Sequence, residues 1–351
     1  MKLRIITPFS IFLPLATLVA ADTSGSSYEL KPIALPGANG GVALDYFAYD
    51  PATGKVWVPA SNLGSVVVID EKTDAVSQVA GFKTGEIERR GRKVTLGPTA
   101  ASIGDGVVYI GNRGDATLCW IDKSNLSSGE CVPVSTDHSI TPDGVLYVPA
   151  TKEVWITTRP VSSSNAEAAK VLQVFDASDP RHLKWKTKIQ LDGLGEGYAV
   201  DNGRGLFYTN VEGPGSTVAI DVRTKKVISK WNPGSTDVGG LALDSARGFL
   251  FVAYGDHVVN LDAGHDGKIL DSIQTGAGLD NIDYSTEKGI LYAAASQAAT
   301  LTIAEVGDDG KFRLKATVPT VKGARSVVAG KGETAYLIDP AQGRILKLIR
   351  K

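Results

Sequence analysis

The sequence predicts an all-β fold: a seven-bladed β-propeller of four-stranded antiparallel blades, its last blade closed by the N-terminal strand. Three observations predict it. An aromatic residue in or beside a short apolar run recurs at Trp57, Tyr109, Trp155, Phe207, Phe251, Tyr292 and Tyr336, with spacings of 52, 46, 52, 44, 41 and 44 residues. These spacings match the ~40–50 residues of a propeller blade. Within each unit, apolar and polar residues alternate with period two between Gly- and Asp-containing turns. The last unit offers only three strands, and a matching strand stands near the N-terminus.

The elements follow in order within each unit. A first strand ending in a polar residue (LDYFAYD, EGYAVD, GLALD, NIDYS) leads into a turn such as PATG, NGRG, SARG or TEKG. The strand holding the aromatic comes next. A third strand ends at Asp70, Asp122, Asp176, Asp221 or Asp262, where the carboxylate is expected to cap the following turn. A more polar fourth strand, as in KKVISKW and GKILDSI, completes the unit. The run from Ser162 to Lys170 reads weakly helical and is expected as a loop insertion in the third blade. The seventh unit, Ala324 to Lys351, supplies RSVVAG, TAYLID and RILKLI. YELKPIALP supplies its fourth strand, which removes the open edges of a linear array.

Composition fits a globular chain: 43% of the 351 residues are hydrophobic and 21% charged. A net charge of −1 gives no field to attract nucleic acid or an anionic membrane. Residues 1–21 read as a secretory signal, with Lys2 and Arg4 before an apolar run from Ile5 to Val19 and small residues at Ala20 and Ala21. That run carries Pro8 and Pro14 and falls short of the ~20 residues a membrane-spanning helix needs. Residues 22–351 are expected to form one domain, monomeric and secreted to an extracellular or periplasmic space. Cys119 and Cys131 lie twelve apart around a turn near Asn125, and an exported chain is expected to join them. Asn125-Leu126-Ser127 is an N-glycosylation acceptor pattern, with meaning only in a eukaryotic source.

The phrases ERRGRKVTLGP, GVVYIGNRGDATLCWID, PDGVLYVPATKEVWITT, GEGYAVDNGRGLFYTN, DHVVNLDAGHDGKIL, TGAGLDNIDYS and GARSVVAGKGETAYLIDPAQGRILKL span essentially the whole mature chain. Together they resemble the secreted YVTN/YncE-like β-propellers, in the superfamily that includes the SMP-30/gluconolactonase propellers. The resemblance implies the fold and leaves activity open, because the group mixes enzymes and binding proteins. Lactonases of that superfamily hold a divalent cation at the channel mouth through Glu, Asn and Asp. Their motifs have no residue-by-residue match here.

In a propeller the starts of the inner strands converge on the axis, and the mouth they form is the usual binding site. Twelve positions before the aromatics stand Asp45, Gly97, Asp143, Gly195, Gly239, Asp280 and Ala324. Eleven before stand Tyr46, Pro98, Gly144, Glu196, Gly240, Asn281 and Arg325. Carboxylates and an amide around a narrow axis suit a hard cation such as Ca²⁺, with Asp45, Glu196, Asp280 and Asn281 as candidate ligands. The same set, with Asp143, suits an amine or sugar, or proton transfer. The alternative for each Asp is a turn-shaping role. Arg325 is expected to neutralise Asp45 or Asp280, or to clamp an anion. The long linker KTGEIERRGRKVTLG carries Arg90 and Lys93, read either as a basic flap over an anionic ligand or as a solvated loop. His138 precedes PDG and is a candidate base at the axis.

No GxSxG, HExxH, Walker loop or helix-opening GxGxxG is present. Two functions therefore remain open. One is a secreted propeller binding a small polar or anionic ligand at its mouth. The other is a cation-assisted lactonase, lyase or isomerase, with Glu196, Asp280, His138 and Arg325 as candidate catalytic groups.

Overall fold

A computed structural model describes residues 27–89, 92–136, 138–232 and 234–351. The leader expected over residues 1–21 and Arg90 lie outside the described residues. Seven four-stranded antiparallel sheets form the blades, and a separate two-stranded hairpin lies between the first and second. From blade one to blade seven the innermost strands are Ala48–Asp50, Pro98–Ile103, Ile140–Val148, Gly195–Asp201, Val238–Asp244, Leu279–Ser285 and Val327–Ala329.

Turn chemistry ends the strands where the sequence places it. The carboxylates of Asp70, Asp122, Asp176, Asp221 and Asp262 each accept a backbone N–H two residues further on. These Asx turns satisfy donors that the outer hairpins would otherwise leave open. The Ser162–Lys170 insertion contributes only a short 3₁₀ turn, Ser163–Asn165.

The repeat aromatics glue the blades together. Trp57, Tyr109, Trp155, Phe251, Tyr292 and Tyr336 are at most 1% exposed, and each packs into the core shared with the following blade. In blade four the equivalent residue is Tyr208, not Phe207. Tyr208 pairs with Ala219, two residues before the capping Asp221, just as Trp57 pairs with Val68, two before Asp70. Neighbouring strand residues point to opposite faces. Phe207 therefore packs back on Trp155 of the preceding blade, at a ring separation of 4.7 Å, while Tyr208 faces blade five. Burying a side chain of this size is worth about 1.5–3 kcal/mol.

The ring closes through both ends of the described chain. Strand Tyr28–Ala34 pairs antiparallel with Arg344–Arg350, from Tyr28↔Arg350 to Ala34↔Arg344. Tyr28, Ile33 and Leu35 are buried along it, and Tyr336 of blade seven packs into the core of blade one. Cys119 and Cys131 are disulfide-bonded across the outer strands of blade two. Asn125 is exposed at the turn between them. Among the described residues no helix is long and apolar enough to cross a membrane.

Candidate site at the channel mouth

Strand register places one residue per blade at a common level of the axis. Three positions before the inner-strand partner of each repeat aromatic stand Asp45, Thr99, Asp143, Glu196, Gly239, Asp280 and Arg325. The sequence count splits these acids and Arg325 over two adjacent levels. The register unites them for two reasons. Blade four is aligned on Tyr208, and the inner hairpin of blade seven is one residue shorter than that of blade one.

Ion pairs tie this level together. Arg325 Nη2 lies 2.9 Å from Asp45 Oδ1, and its Nη1 donates to Asp280. Arg159 donates to Glu196, lies 3.2 Å from Asp143 Oδ2 and donates to Glu212 Oε1 at 3.0 Å. Arg113 Nη1 meets the other Asp143 oxygen at 3.1 Å. The Tyr46 hydroxyl donates to the second oxygen of Glu196. All of these groups but Arg113 border a cavity of about 1250 Å³ at the mouth, whose wall also includes the exposed Asp237 and Asp256.

Arg113 and Arg159 are the residues that reading the sequence misses. Both stand four positions after a repeat aromatic, Tyr109 and Trp155, at the mouth end of the second strand. The same count from Tyr208 gives Glu212. A search confined to the inner-strand starts cannot reach that position, although the repeat spacing marks it.

Burial and neighbouring charges set the electrostatics. Asp45 is 9% exposed, and desolvation raises its pKa against the pull of Arg325, with Asp143 and Asp280 adding to the rise. Its Oδ1 is within ion-pair distance of Arg325 but makes no well-aligned hydrogen bond. Charge attraction tolerates that alignment; a directional hydrogen bond does not. Arg325 is held firmly protonated, chiefly by Asp45 against the opposing pull of burial, with Asp280 adding to the effect. Burial pushes the Tyr46 phenol well above its ordinary range.

A hard cation does not fit the set Asp45, Glu196, Asp280 and Asn281. The three carboxylates already face guanidinium groups. Asn281 donates to Ser326 Oγ at 3.2 Å and borders a second cavity of the channel, not the one that Asp280 lines. Among the described residues no three His, Cys, Asp or Glu side chains come together as a metal site.

The remaining candidates separate. His138 is exposed and lines a cleft beside Cys131 and Pro133, apart from the mouth; four residues of chain separate it from Asp143. The linker between blades one and two folds as the hairpin Gly85–Arg89 and Arg92–Leu96. It sends Val94 to the cavity wall, whereas Lys93, next along the strand, points to the other face and pairs with Glu86 at 3.3 Å. Lys93 thus stays in solvent, and an apolar residue borders the mouth.

Solved structures of the same architecture are numerous. The chain is similar to hydrazine synthase of Kuenenia stuttgartiensis, with 14% identity over 90% of this chain and 99% of that chain, at a TM-score of 0.69. A chain of the mitotic checkpoint complex aligns over 99% of both chains with 12% identity and a TM-score of 0.71. Streptogramin B lyase aligns over 92% of this chain and 98% of its own, with 12% identity and a TM-score of 0.67. Identities this low establish the propeller fold alone. No protein-family model and no curated protein sequence matches the chain.

Proposed function

We propose that the protein is a secreted propeller whose channel mouth binds a small polar ligand rich in hydrogen-bond donors. The supporting observation is the linked set of Asp45, Asp143, Glu196, Glu212 and Asp280 with Arg113, Arg159 and Arg325 beside the 1250 Å³ cavity. Carboxylates outnumber guanidiniums five to three in that set, and Asp237 and Asp256 add to the excess at the rim. Fixed carboxylate oxygens accept hydroxyl or amine protons, and the same excess repels a simple anion. A polyol, sugar or zwitterion therefore suits the mouth better than an anionic ligand. The leader composition and the Cys119–Cys131 disulfide support export.

Thermal unfolding against a panel of sugars, inositols and amino acids tests this reading, because a ligand of the folded state raises the melting temperature. A compound that stabilises the wild type and fails with Glu196→Gln supports it. A stabilising compound indifferent to Glu196→Gln, Asp280→Asn and Arg159→Met removes the mouth as the site.

A second reading rests on Asp45. A buried carboxyl with a raised pKa beside a polar cavity is placed to hold or give a proton. On that reading the protein is a lyase or isomerase working by proton transfer, and activity found on any panel compound falls with Asp45→Asn. Among proteins of this fold, streptogramin B lyase is an enzyme by name, so the architecture admits either reading.

A further inference from the structure

The opposite end of the channel holds a second cavity of about 650 Å³. Its wall includes inner-strand residues that pair with repeat aromatics, namely Ala48, Ser102, Leu146, Asp283 and Val328. Asp283 is the one charged residue at that level. Its Oδ1 accepts the N–H of Tyr284 at 2.8 Å and its Oδ2 accepts the N–H of Ala329 at 2.7 Å. The carboxylates of the mouth level all meet arginines, whereas Asp283 takes part in no ion pair among the described residues and meets two backbone N–H groups instead. Of the charged groups at the rim, Glu287 pairs with Lys288 at 3.0 Å and Lys331 is exposed.

A desolvated carboxylate with only neutral donors is poorly compensated, and burial accordingly lifts Asp283 to about 6. It still carries most of its charge at neutral pH. What it lacks is a counter-ion, and its own level of the channel wall carries the small and aliphatic side chains Ala48, Leu146 and Val328, with the tyrosines Tyr46, Tyr49, Tyr198 and Tyr284 elsewhere around the space. We propose that this cavity binds a small aliphatic ammonium ion, its charge against Asp283 and its hydrocarbon against Ala48, Leu146 and Val328. The site lies further along the channel than the charged mouth, with Asp45 and Tyr46 bordering both spaces, and takes a different ligand chemistry. The bond to Ala329 also braces the short inner strand Val327–Ala329. Asparagine keeps one oxygen for that N–H while losing the charge and the acceptor for Tyr284, so Asp283→Asn retains the brace and removes the counter-charge.

The test is calorimetric titration of the full chain at neutral pH with n-hexylamine, and with n-hexanol and hexanoate as controls. Hexylamine is expected to bind at least about tenfold more tightly than hexanol, with hexanoate weakest. Asp283→Asn is expected to reduce hexylamine binding about tenfold and leave hexanol unchanged. Ala48→Leu, which narrows the cavity without touching the carboxylate, is expected to weaken both. Carbon-13 carboxyl shifts should move at Asp283 on titration. The proposal is overturned if hexylamine does not bind, if it binds wild type and Asp283→Asn equally, or if only mouth carboxylates shift. Should Asp283→Asn fail to fold, Ala48→Leu and the wild-type shifts decide, and hexylamine affinity unchanged by Ala48→Leu overturns the proposal.

Discussion

Arg325 joins Asp45 across the channel mouth, Nη2 to Oδ1 at 2.9 Å, and the same guanidinium reaches Asp280. Blade seven thereby neutralises acids of blades one and six, so one side chain ties three blades together. Removing one member of a buried ion pair costs about 3–5 kcal/mol. The Arg325 side chain is 27% exposed, which softens the penalty. Arg325→Met should cost about 2–4 kcal/mol in urea unfolding. Adding Asp45→Asn should restore part of that loss. A single variant within error of wild type would show that the pair contributes nothing.

Four of the seven blade aromatics are tyrosines whose hydroxyls, among the described residues, are buried without a hydrogen-bond partner: Tyr109, Tyr208, Tyr292 and Tyr336. An unmade hydrogen bond costs roughly 1–3 kcal/mol of desolvation. Tyr292→Phe and Tyr336→Phe should therefore be neutral or stabilising by about 1 kcal/mol in chemical denaturation. A clear destabilisation would mean that these hydroxyls are satisfied in solution.

The Cys119–Cys131 bond closes a short loop on the outer edge of blade two. The chain-entropy account values such a closure at about 3 kcal/mol. The Cys119→Ser, Cys131→Ser double variant should lose about 2–3 kcal/mol while keeping its far-ultraviolet circular dichroism. Unchanged stability under reducing conditions would contradict this.

Asp283 gives a pH signature of defined sign. Burial raises it from 3.8 to about 6, so the folded state holds this proton more tightly than the unfolded chain does. The stability it contributes is fully present below about pH 4 and is lost as pH rises through about 6. Relative to Asp283→Asn, the wild type should weaken across this window, by at most about 3 kcal/mol. Parallel profiles for the two proteins would refute the assignment.

The fold was legible because its signals repeat. Trp57, Tyr109 and Trp155 recur with their turns, and one capping Asp after another marks the same corner. The blade-four misalignment arose where two aromatics are adjacent. Phe207 and Tyr208 point to opposite faces, and only the pairing with Ile220 and Ala219 decides which is equivalent. The mouth was legible in part. Asp45, Asp143, Glu196, Asp280 and Arg325 share its level, but which acid meets which base depends on side-chain reach across blades. Arg113 and Arg159 turned the expected oxygen-rich ring into an ion-pair network, and they come from second strands that the inner-strand count passes over. Asp283 was hidden for a similar reason: a single Asp inside NIDYS looks like any strand-end acid until the channel wall around it is known.

We propose the charged mouth as the place where this protein meets its ligand. Soaking crystals with a panel of sugars, inositols and amino acids tests it most directly. An ordered compound is expected between Asp45, Glu196 and Arg325, with hydroxyl or amine groups on the carboxylate oxygens. Compounds ordered only elsewhere on the molecule, with the mouth holding water alone across the panel, would contradict it.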